Sequence, residues 1–200
     1  QIGGHVYEIG SDADRDDIVS LAATDSEDDA RFLSFEPKNR AGANTAAIVT
    51  DIVHAVYQAT SEDDQRTIVV VDECHRLLTD DEGKHVISQF VREARDTNTG
   101  VTLLSQNASD FTATTEGRAL LDNVETIFLM QHERVPDSVI DYFDLSQREA
   151  QELYSLKTGT DCEYSEAIVK VSDRRNTKVR ITASDQEHGL IVGDAGEVET

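Results

Sequence analysis

Thr67-Ile68-Val69-Val70-Val71-Asp72-Glu73 is an unbroken β-branched run that ends in two adjacent carboxylates. An apolar run without alternation is what a strand covered on both faces of a parallel sheet requires. The run therefore predicts a central parallel strand over 67–71. Asp72 and Glu73 fall at its carboxyl end, the edge at which open α/β sheets bind ligands. A second short apolar segment, Val101–Leu104, ends in Ser105-Gln106-Asn107 and predicts the neighbouring parallel strand.

Working outward, short apolar segments alternate with helical ones. His5–Ile9 and Arg31–Phe35 read as strands, each followed by polar punctuation. Gly42–Ala59 carries Ala47, Ile48, Ile52, Val53 and Val56 at the spacing of a helix with one buried face. Val86–Arg95 repeats that spacing with Val86, Ile87, Phe90, Val91 and Ala94, and Asn98 or Gly100 is the expected stop. Gly117–Leu121 predicts a turn or two of helix, and Glu125–Met130 another strand. Ser146-Gln147-Arg148-Glu149 is a capping box that starts a helix running to about Leu156. The rhythm then changes: Ala167–Val171 and Lys178–Ala183, joined by Asp173-Arg174-Arg175-Asn176, predict an antiparallel hairpin. The order implies an α/β core with a C-terminal β addition. It divides as an N-terminal part over 1–66, a core over 67–160 and a hairpin with an acidic tail over 161–200.

Two carboxylates at a strand end suit nucleotide hydrolysis. The first, Asp72, is placed to hold Mg²⁺ through its water shell, and the second, Glu73, to orient or deprotonate the attacking water. A bare Asp-Glu pair also opens many ordinary loops, so the weight lies on Gln106, which ends the adjacent strand; the arrangement resembles additional-strand P-loop ATPases, in which a polar residue at that strand end can touch the γ-phosphate or the lytic water. Its alternative role is to cap a loop.

Three blocks carry a resemblance. Asp72-Glu73-Cys74-His75-Arg76-Leu77-Leu78, Val91-Arg92-Glu93-Ala94-Arg95 and Gly100-Val101-Thr102-Leu103-Leu104-Ser105-Gln106-Asn107-Ala108-Ser109-Asp110-Phe111, in that order and spacing, resemble the C-terminal ATPase domain of VirB/TraC-type conjugation ATPases. These are type IV secretion motors of the FtsK–HerA group of RecA-like P-loop proteins. The likeness continues through Gly117–Asn123 and Phe143–Glu149, is good over about Thr67–Glu187, and is weak before that. It implies a RecA-like P-loop NTPase three-layer sandwich with a mostly parallel sheet, truncated at the N-terminus and followed by the hairpin. It also implies ATP and Mg²⁺ as cofactors and a homo-oligomeric ring, usually hexameric, working with membrane-associated secretion components at the cytoplasmic face of the membrane. DNA is a possible passenger of the ring. Arg95 matches the family's arginine position and Arg92 lies three residues away on the same helical face. The resemblance gives them a transition-state or inter-subunit role, against a plain alternative of pairing with Glu93 or Asp96.

One element of the pattern is missing. No G-x-x-x-x-G-K-[ST] occurs; Glu82-Gly83-Lys84-His85 has the Gly-Lys pair without the glycine loop, and it follows the acidic pair instead of preceding it. The family places that loop upstream, and a chain opening Gln1-Ile2-Gly3-Gly4 is expected to be part of something longer. Without the loop there is no backbone cradle for phosphates, and the chain alone is expected to bind ATP poorly. Two rival readings stand beside this one. Asp72-Glu73-Cys74-His75 also spells the D-E-x-H box of superfamily 2 helicases, although Ser105-Gln106-Asn107 replaces their S-A-T segment. A degenerate P-loop fold serving as a non-catalytic assembly module is the other.

Charge excludes a further class. Forty acidic residues against 18 basic ones give a formal net charge of −22, a surface that repels free nucleic acid. With 13 Arg to 5 Lys and 23 Asp to 17 Glu, the balance suits a salt-adapted cytoplasmic protein. Acidic clusters at Ser11–Asp17, Asp25–Asp29 and Glu62–Asp64 lie between periodic apolar segments and read as loops and solvated helix faces. Cys74 and Cys162 are too few for a disulfide framework and point to a reducing compartment. The histidines lack zinc-site spacing. No apolar run approaches the length of a membrane span, and the start has neither the basic residues nor the apolar stretch of a signal peptide.

Overall fold

The computed structural model describes residues 4–9, 16–19, 32–37, 45–61, 66–159, 163–171 and 176–184. The loops expected at Asp25–Asp29 and Glu62–Asp64, most of Ser11–Asp17, most of the hairpin turn after Val171, Cys162 and the acidic tail lie outside the described residues. The chain divides into two compact units, one of residues 1–106 and 114–123, the other of residues 107–113 and 124–200.

In the first unit β1 (Gly4–Ile9) pairs in parallel with β2 (Phe32–Pro37), Tyr7 opposite Phe35. Their rings stack with centroids 5.6 Å apart. The short helical segment 16–19 (α1) and α2 (Thr45–Ser61) bury Ile18, Ile48, Ile52 and Ala55 in one cluster with Ile9. The three-and-four spacing in α2 thus delivers the face that the sequence predicts. β3 (Thr67–Val71) pairs in parallel with β4 (Thr99–Leu103), Val69 opposite Val101 and Val71 opposite Leu103.

Between them the chain makes a 3₁₀ turn at Cys74–Thr79 and α3 (Asp81–Glu93). Asp80 caps α3 by accepting from the Gly83 N–H at 2.9 Å, and Asp81 and Glu82 complement the positive end of the helix. Gly83 is there because of contact: a Cβ would stand 2.4 Å from the Leu77 carbonyl oxygen. Phe90 of α3 is fully buried and packs on Tyr57 of α2, ring centroids 5.3 Å apart. Of the two expected stops it is Asn98 that turns the chain, with φ 54°, while Gly100 lies within β4. The same unit contains α5 (Thr115–Leu121), capped by Thr114.

The second unit is built on an antiparallel sheet in the order β5 (Thr126–Leu129), β6 (Ser165–Val171), β7 (Thr177–Ile181). The hairpin is present as the sequence predicts, and β5 joins it as a third strand. Helices α4 (Ser109–Thr112), α6 (Asp137–Phe143) and α7 (Gln147–Tyr154) belong to this unit. Val139, Phe143, Leu153, Leu156, Ala167 and Ile168 are among its buried residues. The capping box at Ser146 and Glu149 is complete in both directions.

One expectation fails. The unbroken run 67–71 predicts cover on both faces, but Ile68 is 73% and Val70 58% exposed, whereas Val71 is buried. Side chains alternate across a strand, and the described residues cover only the face that carries Val71.

Candidate functional site

The site is assembled where β3 and β4 end. Two backbone bonds carry the parallel pairing past the last ladder residues: Leu104 N–H donates to the Val71 carbonyl at 2.9 Å, and Cys74 N–H donates to the Leu104 carbonyl at 2.9 Å. The second bond turns the chain sharply after Val71. Glu73 absorbs the turn in a left-handed backbone conformation, φ 50° and ψ 38°. For a residue with a Cβ this is a sparsely populated region, of the kind that costs about 1–3 kcal/mol and persists where neighbouring structure enforces it.

Asp72 is exposed, and its Oδ1 accepts the Glu73 N–H at 2.8 Å. The Glu73 side chain turns toward β4, and Gln106 Nε2 donates to Glu73 Oε1. The other oxygen, Oε2, faces His75 Nδ1 at 3.1 Å. Glu73 and Gln106 are thus brought together at the carboxyl ends of neighbouring parallel strands, and Asp72 shares that edge through the backbone. His75 is the participant that sequence reasoning passed over except as the last letter of D-E-x-H. The available signal was the spacing, since a tight turn returns the second residue after Glu73 to its side chain.

The arginines lie elsewhere in the same unit. Arg92, exposed in the last turn of α3, donates from Nε to the Ser88 carbonyl at 3.2 Å. Arg95 follows the end of α3 and is exposed. Neither forms an ion pair among the described residues, so the expected alternative pairing with Glu93 or Asp96 is not seen. Glu93 is engaged differently: the Tyr57 hydroxyl donates to its carboxylate, and Gln89 Nε2 donates to the Tyr57 oxygen at 3.0 Å. The hydrogen bond to Glu93, with burial and the carboxylate charge behind it, holds the Tyr57 phenol above its usual range.

Among the described residues no group of three or more His, Cys, Asp or Glu side chains gathers as a metal cage. Asp72 as a single carboxylate therefore fits only a cation that keeps most of its water shell, which is the habit of Mg²⁺. Two surface hollows, one lined by Ile140, Leu145 and Gln151 and one by Glu149, Asn176 and Lys178, contain none of these residues. No described helix is long and apolar enough to cross a membrane.

A parallel strand pair with two acids and a glutamine at its carboxyl ends, followed by a helix between the strands, defines an α/β protein with its polar edge at the strand ends. Residues 26–179 match the AAA-like domain family, and the chain belongs to that family. Among solved structures it is similar to VirB4 of Thermoanaerobacter pseudethanolicus, with a TM-score of 0.64 and 23% sequence identity. The similarity covers 82% of this chain and 44% of that one. The fold is accordingly RecA-like, and the chain spans less than half the length of that neighbour. No curated protein gives a significant match.

Proposed function

We propose that this chain supplies the acid-and-glutamine side of an ATP-hydrolysing site in a motor of the VirB/TraC conjugation, or type IV secretion, class. The single observation that supports it most is the Gln106–Glu73 hydrogen bond across the ends of two adjacent parallel strands. Asp72 holds Mg²⁺ through water. Glu73 is the base that orients and deprotonates the attacking water, and Gln106 is shared between that carboxylate and the γ-phosphate end of the nucleotide. The metal supplies neutralisation of phosphate charge when bound.

Arg95, and secondarily Arg92, are exposed guanidiniums that serve a neighbouring subunit's nucleotide, which places the chain in a homo-oligomeric ring, a hexamer in this reading. The ring works at the cytoplasmic face of the membrane with secretion components, and moves protein or DNA; where DNA is the cargo it passes through the ring and not over the acidic outer surface. All five candidate residues fall in the stretch 67–160, which we take as the catalytic part. The phosphate cradle is not in the 200-residue sequence, so the isolated chain has weak nucleotide affinity. The antiparallel β5–β6–β7 sheet gives no support to a helicase with a second RecA-like half.

The test is ATP turnover and nucleotide binding by the full-length protein and its Glu73→Gln variant. Turnover is expected to fall while binding is kept, since the carboxylate acts on water and adds little to affinity. Unchanged turnover would remove Glu73 from the mechanism.

A further inference from the structure

We propose that His75 is a positioning residue for Glu73, gripping the carboxylate oxygen that Gln106 does not hold. The inference rests on the assignment of Glu73 as the base.

Glu73 Oε2 and His75 Nδ1 are both buried at the atom level, and neither has an aligned hydrogen-bond partner, yet they face each other at 3.1 Å. A carboxylate is acceptor-only. Two lone pairs facing at that distance would repel, and each atom would carry the cost of a buried unsatisfied group. The two atoms approach to 3.1 Å without hydrogen-bond alignment; a small rotation of the ring that turns a protonated Nδ1 toward Oε2 relieves the conflict, and the carboxylate favours the ring form that carries that proton. Oε1 meanwhile accepts from Gln106. The backbone of Glu73 is held as well: its φ is 50°, and its carbonyl accepts the Arg76 N–H at 3.0 Å.

With the main chain pinned, one oxygen bonded to Gln106 and the other against the ring, the swing of the carboxylate is restricted before any substrate arrives. A base fixed in this way spends no rotamer freedom at the moment of reaction, and a misplacement of about 1 Å can cost a hundredfold in rate. Gln106 alone would leave the carboxylate free to swing about its single hydrogen bond. His75 lies on the 3₁₀ turn directly after Glu73, so the same turn that strains the backbone also brings the ring back onto the side chain.

The experiment measures steady-state ATP turnover of the full-length protein with His75→Leu, His75→Asn and Glu73→Gln, with thermal melting of each. His75→Leu removes the donor and is expected to lower kcat roughly tenfold or more with the KM for ATP little changed. His75→Asn puts an amide N–H near the place of Nδ1 and should recover most of that loss. Melting temperatures should match the parent, since the ring is half-exposed. If Glu73→Gln abolishes turnover while His75→Leu leaves kcat untouched, the positioning role is wrong and the base assignment stands. If Glu73→Gln leaves turnover intact, both are wrong. Equal loss in the leucine and asparagine variants, together with lowered melting temperatures, would make His75 a packing residue and overturn the proposal.

Discussion

Glu73 and Glu166 are two carboxylates on strand ends or strands of the two units, and their surroundings are opposite. Glu166 is 5% exposed on the central strand β6. It is answered by cations: Lys178 Nζ at 3.0 Å and Arg180 Nε at 3.9 Å, with the Lys157 N–H at 3.1 Å. The hydrogen bond from Lys178, supported by the Lys157 amide and by the two positive charges, draws its carboxyl below the ordinary range against the opposing effect of burial. Glu73 has no cation of fixed charge beside it. It accepts from a neutral amide and lies 3.1 Å from an imidazole nitrogen, on a left-handed backbone at the ends of two strands. A buried carboxylate with every neighbour opposite in sign serves the fold. One bonded to a single amide on a strained turn keeps acceptor capacity for something else, at a cost to stability.

The largest effects should separate cleanly along that line. Glu73→Gln in the full-length protein is expected to lower turnover by about 10²–10⁴-fold, the usual worth of a general base, without lowering the melting temperature. Glu166→Gln should do the reverse: a melting temperature several degrees lower, because Lys178 and Arg180 lose their countercharge, and turnover per folded molecule unchanged. If both variants lost activity and stability together, the contrast between the two carboxylates would have no functional meaning.

Salt should act on the whole molecule more than on this pair. At a net charge of −22, screening by molar KCl relieves self-repulsion, and the midpoint of thermal unfolding is expected to rise along a KCl series followed by circular dichroism. Glu166 is buried but Lys178 is exposed, so the gap between the parent and Glu166→Gln should narrow only in part as both midpoints rise. A gap that closes in salt would make the pair a surface interaction; a parent midpoint that stays flat would remove the salt-adaptation reading.

Acid should then close the gap that salt leaves open. The folded Glu166 carboxyl lies below its unfolded value, so its contribution is fully present above the unfolded pKa, about 4.3 for a free Glu, and is lost as pH falls through the folded one. Between neutral pH and the ordinary carboxylate range the parent should keep its advantage over Glu166→Gln. Below that range the two melting curves should converge, and an advantage that grew in acid would reverse the sign of the argument.

How much of this was legible in the sequence depends on the range of the interaction. β3 was read to the residue, because five β-branched side chains in a row have few other uses. The capping box was legible because both partners lie within four residues. The seven-residue α6 was missed: its apolar positions Val139, Ile140 and Phe143 span two turns, too short for a period to emerge. The 3₁₀ turn at Cys74–Thr79 was missed for another reason. It is imposed by the Leu104 carbonyl, thirty residues away in the chain, accepting the Cys74 N–H. Glu73 is left-handed at the start of that turn and His75 comes back to 3.1 Å from it, so Asp72, Glu73 and Gln106 are legible from strand ends while the approach of His75 to Glu73 is not. The covering of β3 was misjudged because an apolar run states what a strand tolerates on each face and not what the chain places there.

The smallest predicted effect tests the strain itself. Asn98 and Glu73 both have positive φ, 54° and 50°, yet asparagine tolerates that region and glutamate does not. Replacing Asn98 by Gly should change stability by only a few tenths of a kcal/mol, because the relief is slight and the added chain freedom offsets it. Replacing Glu73 by Gly relieves a real steric conflict and also removes the Gln106 and His75 contacts. The Gln106 bond is exposed, and the His75 contact joins two buried atoms without hydrogen-bond alignment, so neither offsets the strain in full and the net is expected to be a stabilisation on the order of 1 kcal/mol, read as a rise in the melting midpoint. The comparison is internal, with the same substitution in the same backbone region of one unit. A midpoint that falls for Glu73→Gly while holding for Asn98→Gly would mean that the grip of Gln106 and His75 outweighs the strain, and that the turn is held by the carboxylate instead of straining it.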